Sequence, residues 1–220
     1  MKANIIIMMV AVGLTGCNGF GGKSKEDELK LMREMNRGLE NALNFIDLKN
    51  NSTAISFVNK LMDPNTSLKA QSLKQQFDST IIISDNIRAY IDSFEKGVVS
   101  RTGIAISENT SNEHYIELSK EISIKSEKQK QLIEKLKGYR TKLLSLDSNV
   151  RNEFGERLPK YEQYHFNNKM PLIEALTLFS KLKTDIATSE GFILDFYEGR
   201  ATSFVLICES YLPTVEVNAL

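Results

Sequence analysis

The stretch Ser67 to Gly97, SLKAQSLKQQFDSTIIISDNIRAYIDSFEKG, decides between a helical and a stranded protein. Taken alone, Ile81, Ile82 and Ile83 suit a strand, because β-branched side chains pack well on a pleated surface. Their neighbours overrule them. Ala70, Leu73, Phe77, Ile81, Ser84, Ile87, Ile91 and Phe94 recur at intervals of three and four, the period of one face of a helix. Ser67 is placed as the N-cap of this helix, and Gly97 as the left-handed residue that ends it.

The same period runs outward on both sides. From Glu26 onward, Leu29, Met32, Asn36, Leu39, Leu43 and Ile46 form a stripe in which Asn36 reads as a local register device. A shorter helix is expected next, capped by Ser52, burying Ile55, Val58 and Leu61, and stopped at Asp63 and Pro64. Downstream, Val98 to Asn112 reads as a long connection with a short extended piece at Gly103 to Ser107. Thr110 and Glu113 have capping-box spacing and open a helix that buries Leu118, Ile122, Leu132, Leu136, Leu143 and Leu146. Its face is polar at Lys125 and Gln129, so that stretch is expected to protrude or to meet a partner. Gly138 is expected at a kink or a close contact, since glycine weakens a helix interior.

Asp147 to Met170 is a polar connection whose Tyr161, Tyr164, His165 and Phe166 are expected to pack over the end of the bundle. Pro171 starts the last helix, which buries Leu172, Leu176, Phe179, Leu182, Ile186, Ile193 and Phe196 and ends at Gly199. Ser203 to Cys208 and Thr214 to Val217, around Pro213, are candidate strands that need something to dock on. The fold class is therefore all-α, an elongated antiparallel bundle of about five helices with a short β-like C-terminal tail.

The N-terminus carries a different message. Lys2 precedes the apolar run Ile5 to Leu14, which is too short to span a bilayer and has the composition of a signal peptide. Leu14, Thr15, Gly16 and Cys17 resemble the lipobox of bacterial lipoproteins, so Cys17 is the expected site of cleavage and acylation. Several acyl chains would anchor the protein stably, each buried methylene contributing about 0.8 kcal/mol. Residues Asn18 to Lys25 are glycine-rich and read as a short tether. The expected organisation is a signal peptide at 1–16, a tether at 17–25, a helical bundle at 26–202 and a β-like tail at 203–220. Asn18 stands where an aspartate would retain a lipoprotein in the inner membrane, which favours the periplasmic side of the outer membrane.

Composition narrows the function. The chain has 28 basic and 28 acidic residues, a balance that gives nucleic acid no electrostatic handle. With Cys17 acylated, Cys208 is left without an intrachain partner and is expected to be buried, the other reading being an intermolecular disulfide. His114 and His165 stand without other ligands at metal-binding spacing, and no nucleophile elbow, phosphate loop or dinucleotide fingerprint is present. No cofactor, metal or catalytic residue is expected. Lys181 and Asp185, four apart on one helix face, are the candidate partner-facing pair, against the plainer reading of a solvated ion pair.

One long run carries a family likeness. Phe166, Pro171, Leu172, Thr177, Leu178, Ser180, Lys181, Leu182, Asp185, Glu190 and Leu194, within His165 to Arg200, match a pattern of aromatic, proline-leucine, threonine-leucine and serine-lysine-leucine. This run resembles the end of the N-terminal helical domain of the GldM family of gliding-motility and type IX secretion proteins. The helices holding Ile87, Tyr90 and Ile91, and Leu136, Tyr139, Arg140 and Leu143, share the likeness, which extends over about Leu29 to Gly199. The family's members begin with an uncleaved transmembrane helix coupled to a proton-driven partner and continue into several β domains. Here a lipobox stands in place of that helix, so motor coupling is not expected. The lipobox, the resemblance and the lack of catalytic motifs together imply a non-catalytic, lipid-anchored module that binds envelope proteins of a gliding or type IX secretion assembly, with a homodimer as one form. The alternative is a lipoprotein holding a small molecule in the bundle or beneath the Tyr161 to Phe166 cluster.

Overall fold

The computed structural model describes residues 25–102, 115–117, 127–164 and 169–202. The expected signal peptide, Cys17, the expected tether up to Ser24, His114, His165, Phe166 and the expected β-like tail with Cys208 lie outside the described residues, while Lys25, placed at the end of the tether, is already helical. Among the described residues five α-helices carry the fold: α1 Lys25–Met62, α2 Ser67–Thr102, α3 Glu127–Ser145, α4 Ser148–Phe154 and α5 Leu172–Thr202. A 3-10 turn covers Tyr161–Gln163, and strands β1 Tyr115–Glu117 and β2 Lys169–Pro171 form a two-stranded antiparallel ladder. The protein is an all-α helical bundle, as the periodicity requires.

A tight turn joins the two longest helices. The Asp63 carbonyl accepts from the Thr66 and Ser67 amides at 3.1 and 2.8 Å, and the Asp63 side chain accepts from the Asn65 amide at 2.9 Å. The Thr66 carbonyl accepts from the Ala70 amide at 2.9 Å, which makes Thr66, one residue before the expected cap, the start of the helical ladder, and the Thr66 hydroxyl donates back to the Lys60 carbonyl at 2.9 Å. Asp63 and Pro64 therefore reverse the chain where expected. Phe57 and Phe77 stack across the hairpin with ring centroids 3.9 Å apart. Ile81 to Ile83 are helical, with Ile82 exposed and its neighbours half-buried.

Helix directions follow from the pairs that touch. Arg88 of α2 meets Asp47 of α1 and Glu190 of α5, while Lys183 of α5 meets Asp92 and Glu95 of α2. Thus α2 runs antiparallel to both neighbours. By contrast, Asn36 meets Ser180, Thr53 meets Asp195 and Lys60 meets Thr202, so α1 and α5 run parallel. The segment between α3 and α5 makes this possible by carrying the chain back to the end where α3 begins. There β2 pairs with β1, Ile116 opposite Met170.

Several expectations change. The separate helix capped by Ser52 does not exist: α1 is continuous through it, and Ala54, Phe57 and Leu61 turn inward while Ile55 and Val58 face solvent. Polar residues in this stretch stay helical because their side chains find partners on α5 rather than on their own backbone. Gly97 and Gly199 end nothing, because buried Val98 and Ala201 draw α2 and α5 onward to Thr102 and Thr202. Residues 115–117 are strand rather than part of a helix opened by Thr110, since the ladder to β2 satisfies their backbone, and α3 begins at Glu127. Gln129 is buried rather than protruding, and Lys125 lies outside the described residues. Gly138 makes no close contact, for a Cβ there would meet nothing within 4 Å. Tyr161 and Tyr164 are buried against the flanks of α3 and α5 rather than over the bundle's end.

Candidate functional site

The contact between α1 and α5 is built from small polar residues. Thr177 and Thr184 donate to the carbonyls of Met32 and Leu39, each at 3.3 Å, and also to the carbonyl four residues back in their own helix. The Ser180 hydroxyl donates to the Asn36 side-chain oxygen at 2.8 Å, which gives the polar break in the α1 stripe its register role. Further along, the Asn50 amide donates to the Ala187 carbonyl at 2.9 Å. Gly191 lies against that same amide, and a Cβ there would come within 2.4 Å of Asn50 Oδ1. Glycine is what lets the two helices approach. Thr53 bonds Asp195, and Ser56 and Lys60 bond Glu198.

At the level of Asn50 three helices meet on one guanidinium. Arg88 donates to Asp47 at 2.6 Å and to Glu190, with Asp85 at 3.9 Å. Glu190 is 4% exposed. Burial pushes its carboxyl up to about 7, against the pull of Arg88, and Asp85 and Asp47 push the same way as burial. Burial also works against the Arg88 charge, but Glu190 and Asp47 outweigh it and raise its pKa. The cluster opens on a cavity of about 300 Å³.

A tyrosine buttress stands beside it. Tyr139 donates to the Ile186 carbonyl at 3.2 Å and its ring meets that of Tyr161, which in turn meets Tyr164. Tyr164 donates to Asp185 and accepts from Lys181 Nζ at 2.7 Å, while Lys181 also donates to Asp185 at 2.9 Å. The Lys181 and Asp185 side chains are 19% and 22% exposed. Burial holds the Tyr139 and Tyr164 hydroxyls well above the usual tyrosine range, so both are neutral donors.

This whole arrangement, from Leu29 to Glu198, falls within the match to a family model described as the GldM N-terminal domain, which covers residues 29–198. The chain belongs to the GldM N-terminal domain family. That family is associated with gliding motility and type IX secretion and with the cell envelope. No curated protein matches the chain. In this GldM-type domain the family-like residues are occupied inside the bundle. Thr177 and Ser180 bind α1, Lys181 and Asp185 hold Tyr164, Glu190 holds Arg88, and Leu182 and Leu194 are buried.

Arg88, Asp47, Asn50 and Gly191 were not legible as a cluster. One signal was available: Glu190 stands four residues after Ile186 and three before Ile193, a carboxylate inside the buried series of α5. Such a position asks for a cation. Among the described residues no group of histidine, cysteine, aspartate and glutamate could hold a metal ion, and no helix is long and apolar enough to cross a membrane.

The opposite side of α1 exposes large apolar side chains among polar ones such as Asn51, Ser52 and Asn59. Phe45, Leu48, Ile55 and Met62 are 71%, 70%, 64% and 74% exposed. Their spacings of three, seven and seven keep them on one strip of the helix. Leu68 and Ile82 of α2 are exposed as well.

Proposed function

We propose that this chain is a non-catalytic, lipid-anchored protein-interaction module of a gliding or type IX secretion assembly. It is held by Cys17 on the envelope, with the periplasmic side of the outer membrane as the favoured address. The observation that carries the reading is the division of labour on α1. Residues of the family-like run hold its inner face to α5, and the apolar strip Phe45, Leu48, Ile55 and Met62 is left outward. A partner envelope protein binds that strip, a second copy of this chain being the homodimeric case. Lys181 and Asp185, partly exposed beside Tyr164, belong to the same reading as candidate partner-facing residues.

Two measurements test it. Capture from detergent-solubilised envelope should recover the same envelope protein with the wild type and lose it with the double variant Leu48→Glu, Ile55→Glu. Recovery of nothing above background, or equal recovery by the variant, contradicts the interaction. Metabolic labelling with a fatty acid should mark the wild type and not Cys17→Ala; label on the variant overturns the anchor.

A further inference from the structure

The outward strip of α1 has an internal order that says what fits it. Leu48 and Met62 stand seven residues to either side of Ile55, so their Cα atoms lie about 10.5 Å from it along one line of the helix. Asn51 and Asn59 stand four residues to either side of Ile55, and all five residues are exposed. The pattern reads the same in both directions along the helix: apolar, polar, apolar, polar, apolar. Between Asn41 and Met62 the exposed residues of α1 are uncharged except Lys49, whose ammonium is held by Asp195 of α5. Such a face offers a charged partner nothing to pair with, whereas a second neutral face of the same make matches it.

Arg37 decides the direction of the pair. It lies eighteen residues before Ile55, about five full turns, and is therefore exposed on the same line of α1. Parallel copies would set Arg37 against Arg37, like charges face to face at the end of the seam. In antiparallel copies with a two-fold axis at Ile55, each Arg37 passes beyond the α1 of the other copy, which ends at Met62. Leu48 then stands level with Met62 of the other copy, Ile55 with Ile55, and Asn51 with Asn59. From Asn44 to Met62 the strip is about 27 Å long. Two such faces together bury on the order of 1,000 Å², the low end for a specific interface.

We propose that two copies of this chain pair through the outward face of α1, antiparallel and on a two-fold axis at Ile55. The proposal rests on the interaction reading above and names a second copy as the occupant of that strip.

The test is sedimentation equilibrium of the full chain over a range of concentrations. The wild type should pass from monomer to dimer with a Kd of about 10 μM. Ile55→Glu sets two carboxylates together at the axis and should weaken the dimer at least about tenfold. It should leave the helical circular dichroism unchanged, because the side chain is exposed in the single copy. Mixed variants read the register. Leu48→Lys with Met62→Glu should form a heterodimer about tenfold tighter than either variant forms with itself. Leu48→Lys with Leu48→Glu, the pair that parallel copies would bring together, should show no such preference. A wild type still monomeric at about 100 μM overturns the proposal. So does a dimer that Ile55→Glu leaves intact, a first mixture without preference, or a preference in the second. A monomeric chain whose envelope capture is still lost with Leu48→Glu, Ile55→Glu removes this proposal alone. A dimer that captures no other envelope protein keeps it and removes the assembly reading.

Discussion

The two faces of α1 obey different rules. Toward α5 many of the residues are polar and hydrogen-bonded to that helix, from Asn36 with Ser180 to Asn50 with the Ala187 carbonyl, where Gly191 lets the helices approach. Toward solvent, large apolar side chains stand exposed among polar ones such as Asn44, Asn51 and Asn59. The contrast teaches that the family likeness of α5 describes how this helix is held, since its polar residues are nearly all spent within the bundle. The outward face is where a partner has room to act. Polar matching specifies register but gains little energy per bond, whereas burying one exposed large apolar side chain is worth about 1.5 to 3 kcal/mol.

The largest break in that contrast is expected at Glu190. Glu190→Ala removes one anchor of a part-buried guanidinium that joins three helices, and should lower unfolding free energy by about 2 to 3 kcal/mol in urea titration. Gly191→Ala comes next. Its methyl group would displace the Asn50 side chain from the Ala187 carbonyl, at an expected cost of about 2 kcal/mol by the same assay.

A pH series sharpens the picture of the cluster. The Glu190 carboxyl is raised from 4.5 to about 7, so the fold favours its protonated form. That contribution is fully present below the ordinary value and is lost as pH rises through the folded one. Measured against Glu190→Gln, the wild type should therefore lose stability from about pH 5 to about pH 8, on the order of 1 kcal/mol or more. A flat difference between the two contradicts the assigned burial. The smallest effect belongs to the outer face: Ile55→Gln should change unfolding free energy by no more than about 0.5 kcal/mol while weakening partner capture.

Much of the bundle was legible because helical period survives even through Ile81 to Ile83, and because Asp63 with Pro64 leaves the chain no option but to turn. What was hidden depended on partners distant in sequence. Ile55 and Val58 read as core because they are apolar, yet Phe57 with its partner Phe77 set the phase of α1. Gly97 and Gly199 read as stops because glycine suits the left-handed position that ends a helix, but packing of Val98 and Ala201 carries both helices on, against about 1 kcal/mol of helix propensity. The parallel sense of α1 and α5 rests on the return path to β2, which local period does not encode. Lys181 and Asp185 were visible as a pair four apart, but Tyr164, which joins them, comes from another segment.

The most direct test places a photo-crosslinking residue in the full chain in the cell that makes it, once at Ile55 and once at Ser180. The two-faced account of α1 predicts an adduct with a second polypeptide from position 55 and none from position 180. Adducts from position 180, or none from position 55, would contradict it.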